Sequence, residues 1–183
     1  MRELIVKTEA STEPVSLAEA KDYINYLGTD SGTEDIIEFI ITSARLRLEH
    51  YLGRNMAEKT MVLNISDVTN KIDLPYGPIN AIVDVKVYDE DGAEDETLTA
   101  DDDYYLIGDF DKFLKMESYA LGGYLNIEYT AGYGANTYTL PGPLKTALLR
   151  QIKYDYDNRG RGDAEAIENN VRKMLDGYKR VFV

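Results

Sequence analysis

Residues 83–92, Val-Asp-Val-Lys-Val-Tyr-Asp-Glu-Asp-Gly, describe a β-strand and the turn that follows it. Val83, Val85 and Val87 alternate with polar or charged neighbours, which is the period of two expected of a strand with one buried face. The Asp-Gly pair at the end of the stretch tolerates the positive φ angles of a tight hairpin. We therefore predict an antiparallel hairpin, with residues 97–99 as its return strand.

The same period of two extends on both sides of this hairpin, from about residue 56 to residue 133. No segment between these strands has the apolar spacing and length of a helix. Because parallel strands need crossover connections, usually helical, we predict an antiparallel sheet of about five to seven short strands. Strands beyond the hairpin are expected at residues 61–65, 71–74, 104–107, 113–116 and 124–129.

Two helices are predicted before this β region. Ser16 is a good N-cap and Glu19 stands three residues later, a spacing typical of the capping box that begins a helix. Gly28 is the expected end of this first helix. Thr33 is expected to cap a second helix of about five turns, and Gly53 to end it.

The second helix has one wide apolar face, which we predict to be buried. Arg45, Arg47 and Glu49 are expected on the opposite, exposed side. The residues of the predicted buried face are Ile36, Ile37, Ile40, Ile41, Ala44, Leu48, Tyr51 and Leu52.

Helical spacing returns after the β region. Pro141 and Pro143 mark the start of a third helix, because the fixed φ of proline suits the first helical turn. Residues 158–162, Asn-Arg-Gly-Arg-Gly, break that helix, and Asp163 is expected to cap a fourth.

The predicted fold class is α+β. Each pair of helices exposes an apolar stripe, and packing the two stripes together buries both. We therefore predict a four-helix cluster of two N-terminal and two C-terminal helices, with an antiparallel β insertion between helices 2 and 3. Residues 1–55 and 141–183 form the discontinuous helical domain in this prediction, and residues 56–140 form the insertion.

The net charge of −13, from 33 acidic residues and 20 Lys plus Arg, is concentrated in one segment. Residues 84–111 hold twelve acids and a single base, Lys86, whereas residues 145–183 are mildly basic. This balance argues against a general nucleic-acid binder, because phosphate neutralisation needs clustered basic residues. It also disfavours docking to an anionic membrane. The acids either decorate solvated turns or form a distinct surface.

Few residue types for catalysis are available. The chain has no cysteine and a single histidine, His50, so it offers no thiolate nucleophile and no multi-His metal centre. The acidic run from Asp89 fails the calcium-loop pattern, because Ala93 and Glu94 stand at the fifth and sixth positions. The loop 132–134 lacks the third glycine of a dinucleotide-binding loop. We predict no enzymatic activity, no cofactor and no metal site.

Tyrosine is the prevalent aromatic residue, with 15 tyrosines and no tryptophan. Tyrosine suits interfaces, because it contributes apolar area while its hydroxyl keeps a hydrogen bond. It equally suits the covering of a β-sheet, so both roles remain open.

Nine segments resemble, in their joint order and over nearly the whole chain, the head–tail connector (adaptor) proteins of long-tailed bacteriophages and prophages. The departures from that family are the long acidic tract at 89–103 and the extended final helix. The segments that carry the resemblance are residues 14–20, 33–37, 51–54, 72–75, 87–92, 103–105, 129–134, 140–147 and 154–159.

The resemblance implies a structural virion protein rather than an enzyme. Such proteins form a ring, usually of twelve subunits, below the portal protein of a DNA-filled head. The ring extends the DNA channel and docks the next head-completion or tail protein. The resemblance thus implies location at the head–tail junction of the virion, after assembly in the host cytoplasm, with DNA passing nearby without specific binding.

Two groups of residues become candidate sites under this interpretation. The C-terminal segment of such proteins commonly binds the portal, and a short tail beyond a packed helix is suited to ordering on a partner. That segment here consists of Lys179, Arg180, Val181, Phe182 and Val183. Acids that line the channel would keep the ring from holding DNA. The candidate channel-facing acids are Asp89, Glu90, Asp91, Glu94, Asp95 and Glu96.

The acidic segment also permits a second function, that of a DNA mimic that inhibits a nucleic-acid enzyme. Such a protein would bind tightly to a basic cleft and would form no ring. A hydrolase that uses paired carboxylates is a third class, but no spacing motif supports it.

Overall fold

A computed structural model of the chain describes residues 2–117, 123–134, 138–161 and 166–180. The chain divides into two compact units. The sheet unit consists of Met1–Ser11 and Glu58–Tyr138, and the helical unit consists of Thr12–Ala57 and Thr139–Val183. The described residues contain four α-helices and two antiparallel sheets, which confirms the predicted α+β class.

The sheet unit contains a five-stranded and a three-stranded sheet, in which every pair of neighbouring strands is antiparallel. The larger sheet has the order β1-β2-β8-β4-β5, and the smaller one has the order β3-β7-β6. The strands are β1 (Arg2–Thr8), β2 (Lys59–Ile65), β3 (Lys71–Asp73), β4 (Ile79–Tyr88), β5 (Glu94–Thr97), β6 (Tyr104–Ile107), β7 (Phe113–Met116) and β8 (Tyr124–Ala131).

The core of the sheet unit follows the predicted alternation of apolar residues. In β2 and β8 every second side chain is buried, Met61, Leu63, Ile127 and Tyr129 among them. Buried tyrosines need a partner for the hydroxyl, and the Tyr129 hydroxyl donates to the Pro75 carbonyl oxygen over 3.0 Å. One face of β2 and one face of β8 therefore contribute to a continuous apolar core.

The N-terminal strand β1 was not predicted from the sequence. The predicted boundaries put residues 1–11 with the helices, whereas they lie in the sheet unit. All of β1 except Leu4 is exposed, so the strand has no apolar alternation by which to recognise it. Backbone pairing with β2 along the edge of the sheet holds it in place.

Val83 was predicted to be buried with Val85 and Val87, and this prediction is wrong. Val83 is 56% exposed, whereas the other two valines are buried. The register of β4 with β8 shifts between Ile82 and Asp84, so that Val83 is an extra residue without a partner on β8. A bulge of this kind turns the inserted side chain out of the alternation.

The helical unit contains α1 (Leu17–Ile24), α2 (Ser31–Leu52), α3 (Gly142–Asp157) and α4 (Asn169–Leu175), followed by a 3-10 turn at Asp176–Tyr178. Helix α3 packs against α1, α2 and α4. The fully buried apolar side chains of this unit include Ile37, Leu48, Leu52, Leu144, Leu148, Ile152 and Val171.

The ends of α1 and α2 confirm one predicted cap and correct two others. The capping box of α1 is confirmed, with reciprocal hydrogen bonds between Ser16 and Glu19. Helix α1 ends at Asn25, which takes the left-handed conformation with a φ of 60°, and not at Gly28. Helix α2 begins one residue after Asp30, whose carboxylate accepts from the Thr33 N–H over 2.9 Å.

Other ends of the helices follow the same chemistry. Gly53 ends α2 in the left-handed conformation as predicted, with a φ of 64°. The predicted cap of the last helix, Asp163, lies outside the described residues. Helix α4 is capped by Glu168, whose carboxylate accepts from the Val171 N–H over 2.9 Å.

The predicted exposure pattern of α2 needs three corrections. Arg45 and Glu49 are buried, because they form an ion pair with each other inside the unit. Ile36, predicted to be buried, is 48% exposed. Arg47 is half-buried and forms an ion pair with Asp155 of α3. Burial raises the pKa of Asp155, although the charge of Arg47 opposes this effect.

Candidate interaction surfaces

The six acids of the predicted channel-facing group lie together on the β4–β5 hairpin and its turn. All six, Asp89, Glu90, Asp91, Glu94, Asp95 and Glu96, are exposed. The turn is built by Asp89, whose backbone N–H donates to the Ala93 carbonyl oxygen over 3.0 Å and whose carboxylate accepts from the Ala93 N–H. Gly92 has a φ of 83°, which confirms the predicted role of the Asp-Gly pair.

One lysine partly neutralises this acidic hairpin. Lys86 Nζ lies 2.9 Å from Glu94 Oε2, and this hydrogen bond lowers the pKa of Glu94 and raises that of Lys86. Within the described part of the chain, Glu90, Asp91 and Asp95 have no ion-pair partner. The hairpin therefore presents net negative charge to solvent.

Among the described residues, no group of three or more His, Cys, Asp or Glu side chains converges in a way that could hold an ion. Strand β5, which carries three of these acids, is exposed along its whole length.

Lys179 and Arg180, the described part of the predicted portal-binding segment, are attached to the end of α2. The Arg180 N–H donates to the Leu52 carbonyl oxygen over 2.9 Å. Lys179 Nζ lies 4.5 Å from the centre of the Tyr51 ring, a cation–π contact. The segment is therefore anchored at its start. Val181, Phe182 and Val183 lie outside the described residues.

Tyr51 also fixes the turn that precedes these two residues. Its hydroxyl donates to Asp176 Oδ1 over 2.6 Å, and this hydrogen bond raises the pKa of Tyr51. Arg54 Nε donates to the Tyr178 carbonyl oxygen over 2.8 Å. The end of α2 thus binds the chain at 176–180 through both side chains and backbone.

The remaining sequence candidates have structural roles or lie on the surface. His50 is exposed on α2. Gly132 has a φ of 124°, and its N–H donates to the Pro78 carbonyl oxygen, which makes the 132–134 loop a turn at the end of β8. In the part of the chain that the structure describes, no helix is long and apolar enough to cross a bilayer.

The helical periodicity of α2 assigns Arg45 to the exposed side, but Arg45 lies at the centre of a buried network of hydrogen bonds. Arg45 Nε and Nη2 donate to the two carboxylate oxygens of Glu13, over 2.7 Å and 3.0 Å. Burial by itself lowers the pKa of Arg45. The hydrogen bond to Glu13 and the charges of Glu49 and Glu13 outweigh this effect, so the pKa of Arg45 is raised. The spacing of Arg45 and Glu49, one helical turn apart, was the available signal.

The whole chain is similar in structure to proteins of phage-like particles. One is a chain from the neck of an empty gene transfer agent (GTA) particle computed with C6 symmetry, with a TM-score of 0.80 and 20% identity over 99% of this chain and 97% of that one. A chain from the virion of the native GTA particle has a TM-score of 0.80 and 20% identity, over 98% and 96% of the two chains.

A third similar chain comes from the neck of the native GTA particle computed with C12 symmetry. It has a TM-score of 0.77 and 18% identity, over 99% of this chain and 97% of the other. No protein-family model and no curated protein matches the chain. At these identities the similarity shows that the chain shares the fold of the three proteins.

Proposed function

We propose that this chain is a structural protein of the neck of a phage or phage-like particle, namely a head–tail connector that forms a ring below the portal. The observation that carries the proposal is the match, over almost the full length of both chains, to a protein of a GTA neck. The nine sequence segments that resemble the connector family support the same assignment independently, because that resemblance depends on the amino-acid sequence alone.

Ring formation is the second part of the proposal. Two of the similar chains come from necks computed with C6 and C12 symmetry, which is consistent with a closed ring. A ring of identical subunits needs a heterologous interface, in which each subunit offers two different surfaces. We propose twelve subunits in the particle, as the family resemblance implies.

The acidic hairpin is proposed to face the DNA channel. Binding to the phosphate backbone depends on Lys and Arg that displace counterions, and carboxylates have the opposite effect. Three acids of the hairpin, Glu90, Asp91 and Asp95, have no ion-pair partner in the described residues, so their charge is uncompensated. A ring lined with such hairpins would enclose DNA without holding it.

The C-terminal segment is proposed to bind the portal. Lys179 and Arg180 are held at the end of α2, so the described start of the segment has a fixed position on the helical unit. Phe182 and its two valine neighbours supply the apolar side chains for a partner groove. The next head-completion or tail protein would bind elsewhere on the ring.

Deletion of Val181–Val183 tests the portal contact. Because the deletion removes no residue of the described core, we expect an unchanged circular dichroism spectrum and unfolding midpoint. We expect co-purification with the portal protein of the same genome to be lost. A control variant, Leu27→Ser, changes an exposed apolar residue elsewhere in the helical unit and should still bind. Binding by the truncated chain would contradict this role of the C-terminal segment.

A further inference from the structure

Helix α2 exposes an apolar stripe that the core of the helical unit does not cover. Phe39 is 73% exposed, Ile36 is 48% exposed and Leu46 is 42% exposed. Ile36 and Phe39 are three residues apart, and Leu46 lies two turns beyond Phe39, so the three side chains share one side of the helix. The stripe from Ile36 to Leu46 is roughly 15 Å long at 1.5 Å per residue. A phenyl ring this exposed is suited to insertion into a partner.

The same helical unit contains a pocket that could receive such a ring. It is open to solvent and has a volume of about 300 Å³. Tyr23 and Tyr154 supply aromatic side chains to the lining, and its charged residues are two bases, Arg150 and Lys153, and two acids, Asp157 and Glu168. Phe39 is not part of its lining, so stripe and pocket are two separate surfaces.

The stripe is flanked by two acids and the pocket holds one base, none of which has an ion-pair partner among the described residues. Asp35 and Glu38 stand beside Phe39, and both are exposed without an ion-pair partner among the described residues. In the pocket Lys153 is paired with Asp157 over 3.0 Å. Arg150 has no ion pair or hydrogen bond within the described ranges. Its positive charge helps to lower the pKa of Glu168, whose carboxylate caps α4.

The two halves of the helical unit also differ in net charge. Residues 12–57, which carry the stripe, contain eight acids and four bases. Residues 139–183, which supply most of the pocket lining, contain nine bases and six acids. The acids beside the stripe and the unpaired Arg150 in the pocket favour association of these two surfaces and set its orientation.

We propose that the α2 stripe of one copy binds in the pocket of the next copy, with Phe39 inserted between Tyr23 and Tyr154 and with Arg150 facing Asp35 and Glu38. This inference rests on the proposed ring. Contact between stripe and pocket is heterologous, so repeating it can close a ring. Contact between two stripes would be isologous and would end at a dimer.

The absence of cysteine from the chain makes a cross-linking test clean. We would mix S43C protein with K153C protein at high concentration, add a short bismaleimide and measure covalent dimer. Ser43 lies one turn from Phe39 and Lys153 lies beside Tyr154, so both aromatic anchors stay in place. We expect about tenfold more dimer than from L27C mixed with K153C, because an interface raises the effective concentration of the two thiols. L27C is the control, since Leu27 is exposed on the same unit but lies outside the stripe.

Each outcome separates this inference from the proposed function. Rings seen by native mass, together with efficient cross-linking of S43C to K153C, support both. Rings with no more cross-linking than the L27C control overturn the docking of stripe into pocket and leave the connector function standing. Cross-linking of S43C with itself identifies an isologous contact and overturns the inference. Absence of any oligomer contradicts the inference and the proposed ring together.

A charge exchange gives a second, independent readout. E38R and R150E should each weaken association when present alone, because each places like charges across the interface. Mixed together, the two variants should associate with each other more strongly than either associates with the native chain. Loss of association that the mixture does not restore would contradict the pairing of these surfaces.

Discussion

Arg45 Nη1 donates to Glu49 Oε2 over 3.1 Å, and both side chains are 3% exposed. Glu49 Oε1 in turn accepts from the backbone N–H of Met56 over 2.8 Å. Since Arg45 also binds Glu13, this pair joins the middle of α2 to the segment before α1 and to the chain that leaves α2. The network therefore fixes both ends of the N-terminal half of the helical unit.

Glu49→Ala is predicted to destabilise the protein strongly. The substitution leaves Arg45 with a buried charge that is only partly compensated and removes the acceptor of the Met56 N–H. Breaking a buried ion pair from one side typically costs about 3–5 kcal/mol. Urea unfolding measures the change. His50→Ala, at an exposed position of the same helix, is the control and should stay within about 0.5 kcal/mol. Equal effects of the two substitutions would contradict the importance of the network.

The capping box makes stability depend on pH through Glu19. Hydrogen bonds from Lys145 and from the Ser16 backbone lower the pKa of Glu19 below its ordinary value of 4.5. A lowered pKa in the folded state gives stability that is present above the unfolded value and is lost as the pH falls through the folded value. The difference in unfolding free energy between native protein and Glu19→Gln should therefore be constant above pH 4.5 and shrink below it. A difference that does not change with pH would argue against this contribution.

Neighbouring valines of β4 are predicted to respond differently to truncation. Val85 is fully buried, so Val85→Ala should cost about 1–3 kcal/mol through lost packing. Val83 lies at the bulge and is exposed, so Val83→Ala should cost less than about 0.5 kcal/mol. Thermal or urea unfolding of the two variants checks this contrast. Similar losses for both would mean that the strand keeps the uninterrupted alternation read from the sequence.

Tyr51 is predicted to protect the chain at 176–180 from proteolysis. Tyr51→Ala removes the hydrogen bond to Asp176 and the ring under Lys179, and cleavage by trypsin after Lys179 should become about tenfold faster. Tyr51→Phe keeps the ring and should give an intermediate rate. Mass spectrometry of the released fragment measures both rates. Unchanged rates in both variants would show that other contacts hold this segment.

Local signals predicted much of the fold. The capping box of Ser16 and Glu19 and the alternation of β2 depend on residues close in sequence, and both are confirmed. The burial of Arg45 depends on Glu13, which lies 32 residues away, so helical periodicity assigned Arg45 to the surface. The outward turn of Val83 depends on the register with β8, which no single strand specifies.

The candidate surfaces divide in the same way. The sequence alone indicates the acidic hairpin, because its acidic residues are contiguous and can be counted without a structure. The sequence alone does not indicate the exposed stripe. Ile36 has the helical spacing of a core residue, and it is exposed because of the way α2 packs in the helical unit. The pocket beside Tyr154 joins residues of α1, α3 and the start of α4, so no contiguous segment indicates it.

The central claim is that the chain assembles into a ring on a portal. Native mass spectrometry of the full chain, alone and mixed with the portal protein of the same genome, tests this claim most directly. The connector function predicts a complex that contains one portal and a closed set of chain copies, twelve by the family resemblance. A chain that stays monomeric at high concentration and leaves the mass of the portal unchanged would contradict it.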